Sequence, residues 1–135
     1  MLKLLIGGKG SGKTKTLIDM VHKALAETKG DVVCIEKGDK LKFDIKYQCR
    51  LIDTDQYKIV DAVSLYGFVA GILASNHDVS DLFIDSALKI CENDTPAFDI
   101  FLDKLNALLD ELGVNCLVTS SIPTEEATEA EKKYL

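Results

Sequence analysis

The run Leu2 to Ile6 leads directly into Gly7-Gly8-Lys9-Gly10-Ser11-Gly12-Lys13-Thr14, and a helical pattern starts at once behind it. The spacing is G-x-x-x-x-G-K-[ST], a loop that requires a buried strand before it and a helix after it, and both flanks are present. Gly7, Gly10 and Gly12 let the backbone close tightly, so that amide N–H groups converge as a nest at the start of the next helix. A nest of that kind holds an anion, and bulky side chains would obstruct it. In this geometry Gly7, Gly8, Lys9, Gly10, Ser11 and Gly12 cradle phosphate oxygens. Lys13 reaches the β- and γ-phosphates, and the Thr14 hydroxyl supplies a ligand to Mg²⁺. The expected ligand is a nucleoside triphosphate.

The 135 residues, 47% of them apolar, suffice for one domain over 1–135 with a real core. Formal net charge is −6, and Arg50 is the only arginine among sixteen basic residues. Neither this balance nor any long basic run gives a strong nucleic-acid or anionic-membrane signal. The first apolar stretch is too short to span a bilayer or to form a secretory signal. Cys34, Cys49, Cys91 and Cys116 are widely separated and form no C-x-x-C, which reads as buried thiols in a reducing cytoplasm.

Along the chain, Lys13 to Lys29 reads as a helix with Gly30 beyond its end, and Asp31 to Glu36 as a second buried strand. In Lys37 to Thr54 the alternation of Leu41, Phe43 and Ile45, with Cys49, Leu51 and Ile52 following, suggests an edge strand or small hairpin. A helix is expected over Asp53 to Ser75, capped by Asp53 or Thr54, with Gly67 and Gly71 allowing close packing or a bend. Val79 to Asp85 is a strand whose apolar residues end at a carboxylate, as where a central strand delivers Asp85 to a metal ion. Thr95-Pro96 opens a helix ending near Gly113, and Val114 to Thr119 is a further strand with the hydroxyls of Thr119, Ser120 and Ser121 at its end. Residues 124–135 are acidic and read as an exposed terminal helix over Glu125 to Tyr134 or a flexible tail.

These features resemble the P-loop nucleoside triphosphatase superfamily: Gly7 to Thr14 is similar to its Walker A motif, and Leu82-Phe83-Ile84-Asp85 to Walker B. The resemblance implies an α/β, three-layer P-loop nucleotide-binding fold with a mostly parallel central sheet, ATP or GTP with Mg²⁺ as cofactors, ATP being favoured in the absence of an Asn-Lys-x-Asp segment, and Thr14 and Asp85 as the metal residues. It extends to the additional-strand ATPase branch, where a polar residue such as Thr119 or Ser120 contacts the terminal phosphate. Members of that branch often carry a glutamate beside the metal-site aspartate; here position 86 is Ser86. Glu36, ahead of Glu92, is then the candidate for aligning water, and Arg50 for stabilising transferred charge within the chain or across an oligomer interface. His22 and His77 have no ligand spacing around them. The expected function is a Mg²⁺-dependent ATP-binding, regulatory or motor-like ATPase module with weak or partner-dependent hydrolysis, the partner being a protein or a second copy. A nucleoside or small-molecule kinase and a nonhydrolysing nucleotide-stabilised module are the alternatives.

Overall fold

The computed structural model describes residues 1–135. Strands β1 (Leu2–Gly7), β2 (Asp31–Glu36), β3 (Arg50–Asp53), β4 (Val79–Ile84) and β5 (Asn115–Ser121) form one sheet in the order β1-β5-β4-β2-β3. All four ladders are parallel. Between the strands lie helices α1 (Lys13–Glu27), α2 (Ala62–Ser75), the single turn α3 (Ala87–Ile90) and α4 (Thr95–Leu112), and α5 (Glu129–Lys132) follows the last strand.

Parallel strands are covered on both faces, which is why Val32–Ile35, Leu82–Ile84 and Cys116–Val118 are unbroken apolar runs. Successive side chains then go to opposite layers. Val33, Ile35, Leu82, Ile84, Cys116 and Val118 pack in the cluster that contains Leu65 and Val69 of α2 and Phe98, Leu102, Leu105 and Leu109 of α4. Val32, Cys34, Phe83 and Leu117 pack with Leu17 and Val21 of α1 and with Leu41, Ile45 and Cys49. The result is the three-layer α/β fold with a parallel central sheet. The four cysteines are free and buried, and burial pushes the Cys49 thiol up to about 11 and the Cys91 thiol up to about 12.

The stretch expected as a strand or hairpin through Leu41, Phe43 and Ile45 is instead a set of turns. Asp44 and Ile45 both donate their amides to the Leu41 carbonyl, at 2.9 and 3.0 Å. Four-residue spacing therefore prevails over alternation: Leu41 and Ile45 are buried together, while Phe43 is 90% exposed. The short strand near Arg50 does form, as edge strand β3. The helix expected from Asp53 starts at Ala62. The Asp53 carboxylate caps only the turn Thr54–Tyr57, and left-handed Lys58 ends that turn. Asp61 and Ser64 then form a reciprocal capping box that starts α2. At α4 the capping residue is Asp94, with Pro96 in the first turn.

Gly67 and Gly71 do not serve close packing: a Cβ added at either meets nothing within 4 Å. Each costs helix stability with no steric return. Gly67→Ala and Gly71→Ala are each expected to stabilise the fold by about 0.5–1 kcal/mol, measured by denaturant titration.

Residues 124–135, expected as an exposed terminal helix or a flexible tail, fold back on α4 and β1. Leu4 donates to the Tyr134 carbonyl at 2.7 Å, and the Tyr134 hydroxyl donates to Asp103 at 2.5 Å. Thr128 donates to Asp99 at 2.9 Å, and Glu131 is fully buried. One oxygen of Asp99 and one of Glu131 are buried with no hydrogen-bond partner, and a proton shared between the two side chains would satisfy both. Burial first, and then the hydrogen bond and charge of Asp99, push the Glu131 carboxyl up to about 7. The folded chain thus holds this proton more tightly than the unfolded one, whose carboxyl sits near 4.5. The stabilisation is complete below that ordinary value and is lost as pH rises through the folded one. Unfolding free energy is expected to fall by on the order of 1–3 kcal/mol across this window in denaturation series, and the fall is expected to flatten in Glu131→Gln.

Candidate functional site

The loop after β1 turns into α1 at Gly12, whose φ of +86° is left-handed and open to glycine at little cost. At Gly7 the constraint is contact: an added Cβ would lie 2.5 Å from the Ser11 hydroxyl. No side chain caps α1, whereas Asp61 and Asp94 cap α2 and α4. The free amides of its first turn therefore remain available to an anion. The Lys13 ammonium lies over the loop, donating to the Gly8 carbonyl at 2.9 Å and to the Ser11 hydroxyl at 3.2 Å.

Asp85 follows β4 and is 8% exposed. Its amide donates to the Ile35 carbonyl at 2.8 Å, continuing the β4–β2 ladder to its rim. The Thr119 hydroxyl donates to Asp85 at 2.7 Å and accepts from the Ser86 amide at 2.9 Å. The Thr14 hydroxyl stands 3.4 and 3.5 Å from the two Asp85 oxygens. Ser86 is left-handed, and it swings the chain into α3, where the Leu88 amide donates to the Ser120 hydroxyl at 3.1 Å. The loop after β1, Asp85 after β4 and Thr119 on β5 thus converge at one end of the sheet. Thr119 lies there as expected, but both polar contacts of its hydroxyl hold Asp85 and Ser86 in place, and Ser120 caps α3.

The loop and these strand ends line a cavity of about 610 Å³ that contains Lys9, Lys13, Thr14, Lys15 and Thr119. Lys40 and Lys89 complete its basic lining, Leu88 is its one apolar residue, and no carboxylate residue lines it. Lys40 and Lys89 escaped the sequence reading, because only the fold brings the turn after β2 and the turn α3 to this cavity, and Lys15 directly follows the motif without belonging to it. Glu36 ends β2 and is 2% exposed. Its oxygens accept from the Lys40 amide at 3.1 Å and the Leu41 amide at 3.2 Å. Burial pushes this carboxyl up, and the two amide donors oppose the shift. Arg50 is not brought to the cavity; it begins β3, opposite Val33, and faces Asp31 and Asn76 across a separate cleft. Glu92 is exposed in the turn after α3, and His22 accepts from the Lys46 amide at 3.4 Å. His77 lies beside Leu73 and Val79, in another cleft.

No group of three or more His, Cys, Asp or Glu residues is placed to hold a metal ion. One hydroxyl and one carboxylate fit a magnesium ion that takes most of its oxygens from phosphate and water. No helix is long and apolar enough to cross a membrane.

A parallel sheet with β5 between the phosphate-loop strand and the Asp85 strand, flanked by helices on both faces, defines a P-loop/Rossmann-like α/β fold. Among solved structures, a KaiC-like protein from the hyperthermophilic archaeon Pyrococcus horikoshii OT3 is similar, with a TM-score of 0.61 and 19% identity over 98% of this chain. The chain spans 66% of that protein's length, and at this identity the likeness is one of fold. No protein-family model matches the chain, and no curated protein matches it.

Thr119→Val keeps the shape of the side chain but leaves buried Asp85 short of a donor and the Ser86 amide short of an acceptor. A loss of about 1–3 kcal/mol is expected in equilibrium unfolding.

Proposed function

We propose that this chain binds Mg²⁺·ATP in the loop Gly7 to Thr14 and acts as a regulatory or motor-like ATPase module with weak or partner-dependent hydrolysis. The observation that carries this is the convergence of an uncapped helix N-terminus, Lys13 and the Thr14–Asp85 pair on one strongly basic cavity. Backbone amides of Gly10 to Thr14 bind and orient the phosphates, and Lys13 meets the charge on the β- and γ-phosphates. Thr14 and Asp85 would hold Mg²⁺, which when bound neutralises phosphate charge. Thr119 holds the Asp85 carboxylate in place behind Thr14.

Weak hydrolysis follows from what lines the cavity. No carboxylate residue does, Ser86 stands beside Asp85, and Glu36 is engaged with two amides. Water is then aligned by phosphate and hydroxyl groups alone unless a partner brings a base. The same observation counts against a small-molecule kinase, which also needs a group to take the acceptor proton. It favours, as the second reading, a module that retains nucleotide without turnover and is stabilised by it.

Calorimetry with ATP, ADP, GTP and a nonhydrolysable ATP analogue, with and without Mg²⁺, tests the proposal. Wild type is expected to bind ATP in a Mg²⁺-dependent manner, and Lys13→Ala is expected to weaken binding at least about tenfold, roughly 1.4 kcal/mol. Absence of binding in wild type, or equal affinity in Lys13→Ala, overturns it.

A further inference from the structure

The turn between β2 and β3 is fixed to a degree its exposure does not require. Glu36 accepts from the Lys40 and Leu41 amides, at 3.1 and 3.2 Å. From the neighbouring strand end Asp53 accepts from the Gly38 amide at 2.8 Å, and Asp55 pairs with the Lys37 ammonium at 2.6 Å. Leu41 is 3% exposed and seats the end of the turn in the cluster beneath α1. Between these anchors Lys40 is exposed, and its side chain lines the same cavity as Lys13, Thr14 and Thr119.

The strand order says which side of the cavity Lys40 occupies. The phosphate loop follows β1, Asp85 follows β4, and the Lys40 turn follows β2, which lies on the far side of β4 from β1. Lys40 therefore reaches the cavity from the β2 side, across the Asp85 strand end from the phosphate loop, where it would meet a phosphate that extends beyond the loop. Arg50, the chain's one arginine, faces another cleft, so a cation for the terminal phosphate must come from a lysine or from a partner.

We propose that Lys40 engages the terminal phosphate as a second cation beside Lys13, and that Glu36 is a positioning residue that acts through the Lys40 turn rather than on water. The proposal rests on the ATP-binding reading and deepens it: the site tells triphosphate from diphosphate through a lysine held on a pinned turn. A buried carboxylate that ends β2 has its oxygens committed to two amides, and its effect on the nucleotide passes through Lys40.

The test compares affinities for Mg²⁺·ATP analogue and Mg²⁺·ADP across Lys40→Ala, Lys40→Arg, Glu36→Ala, Glu36→Gln and Lys42→Ala, together with amide hydrogen exchange in the absence of nucleotide. Lys40→Ala is expected to cut the preference for triphosphate over diphosphate at least fivefold, with ADP affinity unchanged and Lys40→Arg restoring it. Glu36→Ala is expected to lose the same preference, with the double variant no worse than either single one, and to raise exchange at the Lys40 and Leu41 amides at least tenfold. Glu36→Gln, which retains one acceptor oxygen, is expected to recover part of both. Lys42, whose ammonium lies 5.1 Å from the centre of the Phe43 ring outside the cavity, is the control for general charge and is expected to change nothing. An unchanged preference in Lys40→Ala, an equal loss in Lys42→Ala, or unchanged amide exchange in Glu36→Ala overturns the inference while leaving ATP binding intact. A wild type that binds no ATP overturns both, and in that case altered exchange in Glu36→Ala still separates a pinned turn from an unpinned one.

Discussion

A buried hydrogen bond of 2.7 Å from the Thr119 hydroxyl to Asp85 joins β5 to β4 at the rim where the sheet meets the phosphate loop. The same hydroxyl accepts from the Ser86 amide, so one oxygen sets both the carboxylate and the left-handed step that follows it. That step launches α3, and α3 carries Leu88 and Lys89 to the cavity. A central strand that delivers an acidic side chain to a low-dielectric rim needs a donor there, because an unpaired buried carboxylate is costly. The hydroxyl run at the end of β5 supplies it.

Charge is organised locally against the average of the chain. The whole sequence is acidic, with a formal charge of −6, yet the cavity is lined by five lysines and no acidic residue. The carboxylates that come near it are withdrawn: Asp85 is held by Thr119, and Glu36 is committed to main-chain amides. A polyanion therefore meets a positive interior in a protein whose outer surface repels it. Selectivity for place on the surface follows from that contrast more than from total charge.

Much of the fold was legible because its signals are local. The loop spacing, the apolar runs of β1, β2, β4 and β5, and the Pro96 and Gly113 ends of α4 each depend on a few neighbouring residues. What stayed hidden depended on long-range partners. The alternation of Leu41, Phe43 and Ile45 resembles a strand until the space under α1 selects Leu41 and Ile45 as a pair one turn apart. Asp53 has the chemistry of a helix cap, but its carboxylate also serves Gly38, and Asp61 starts the helix. Lys40 and Lys89 belong to no motif, and their place at the site follows from the strand order alone. The acidic character of residues 124–135 likewise concealed Glu131, whose burial depends on α4.

β1 is an edge strand, and its outer side meets the end of the chain where Leu4 donates to the Tyr134 carbonyl. The strand that aims the glycine loop therefore has β5 on one flank and a short terminal segment on the other. Leu4 lies only three residues ahead of Gly7, so a tug on the last residues reaches the root of the loop with almost no intervening chain to absorb it. The strand that roots the phosphate loop and the segment around Tyr134 are in this way mechanically geared to each other.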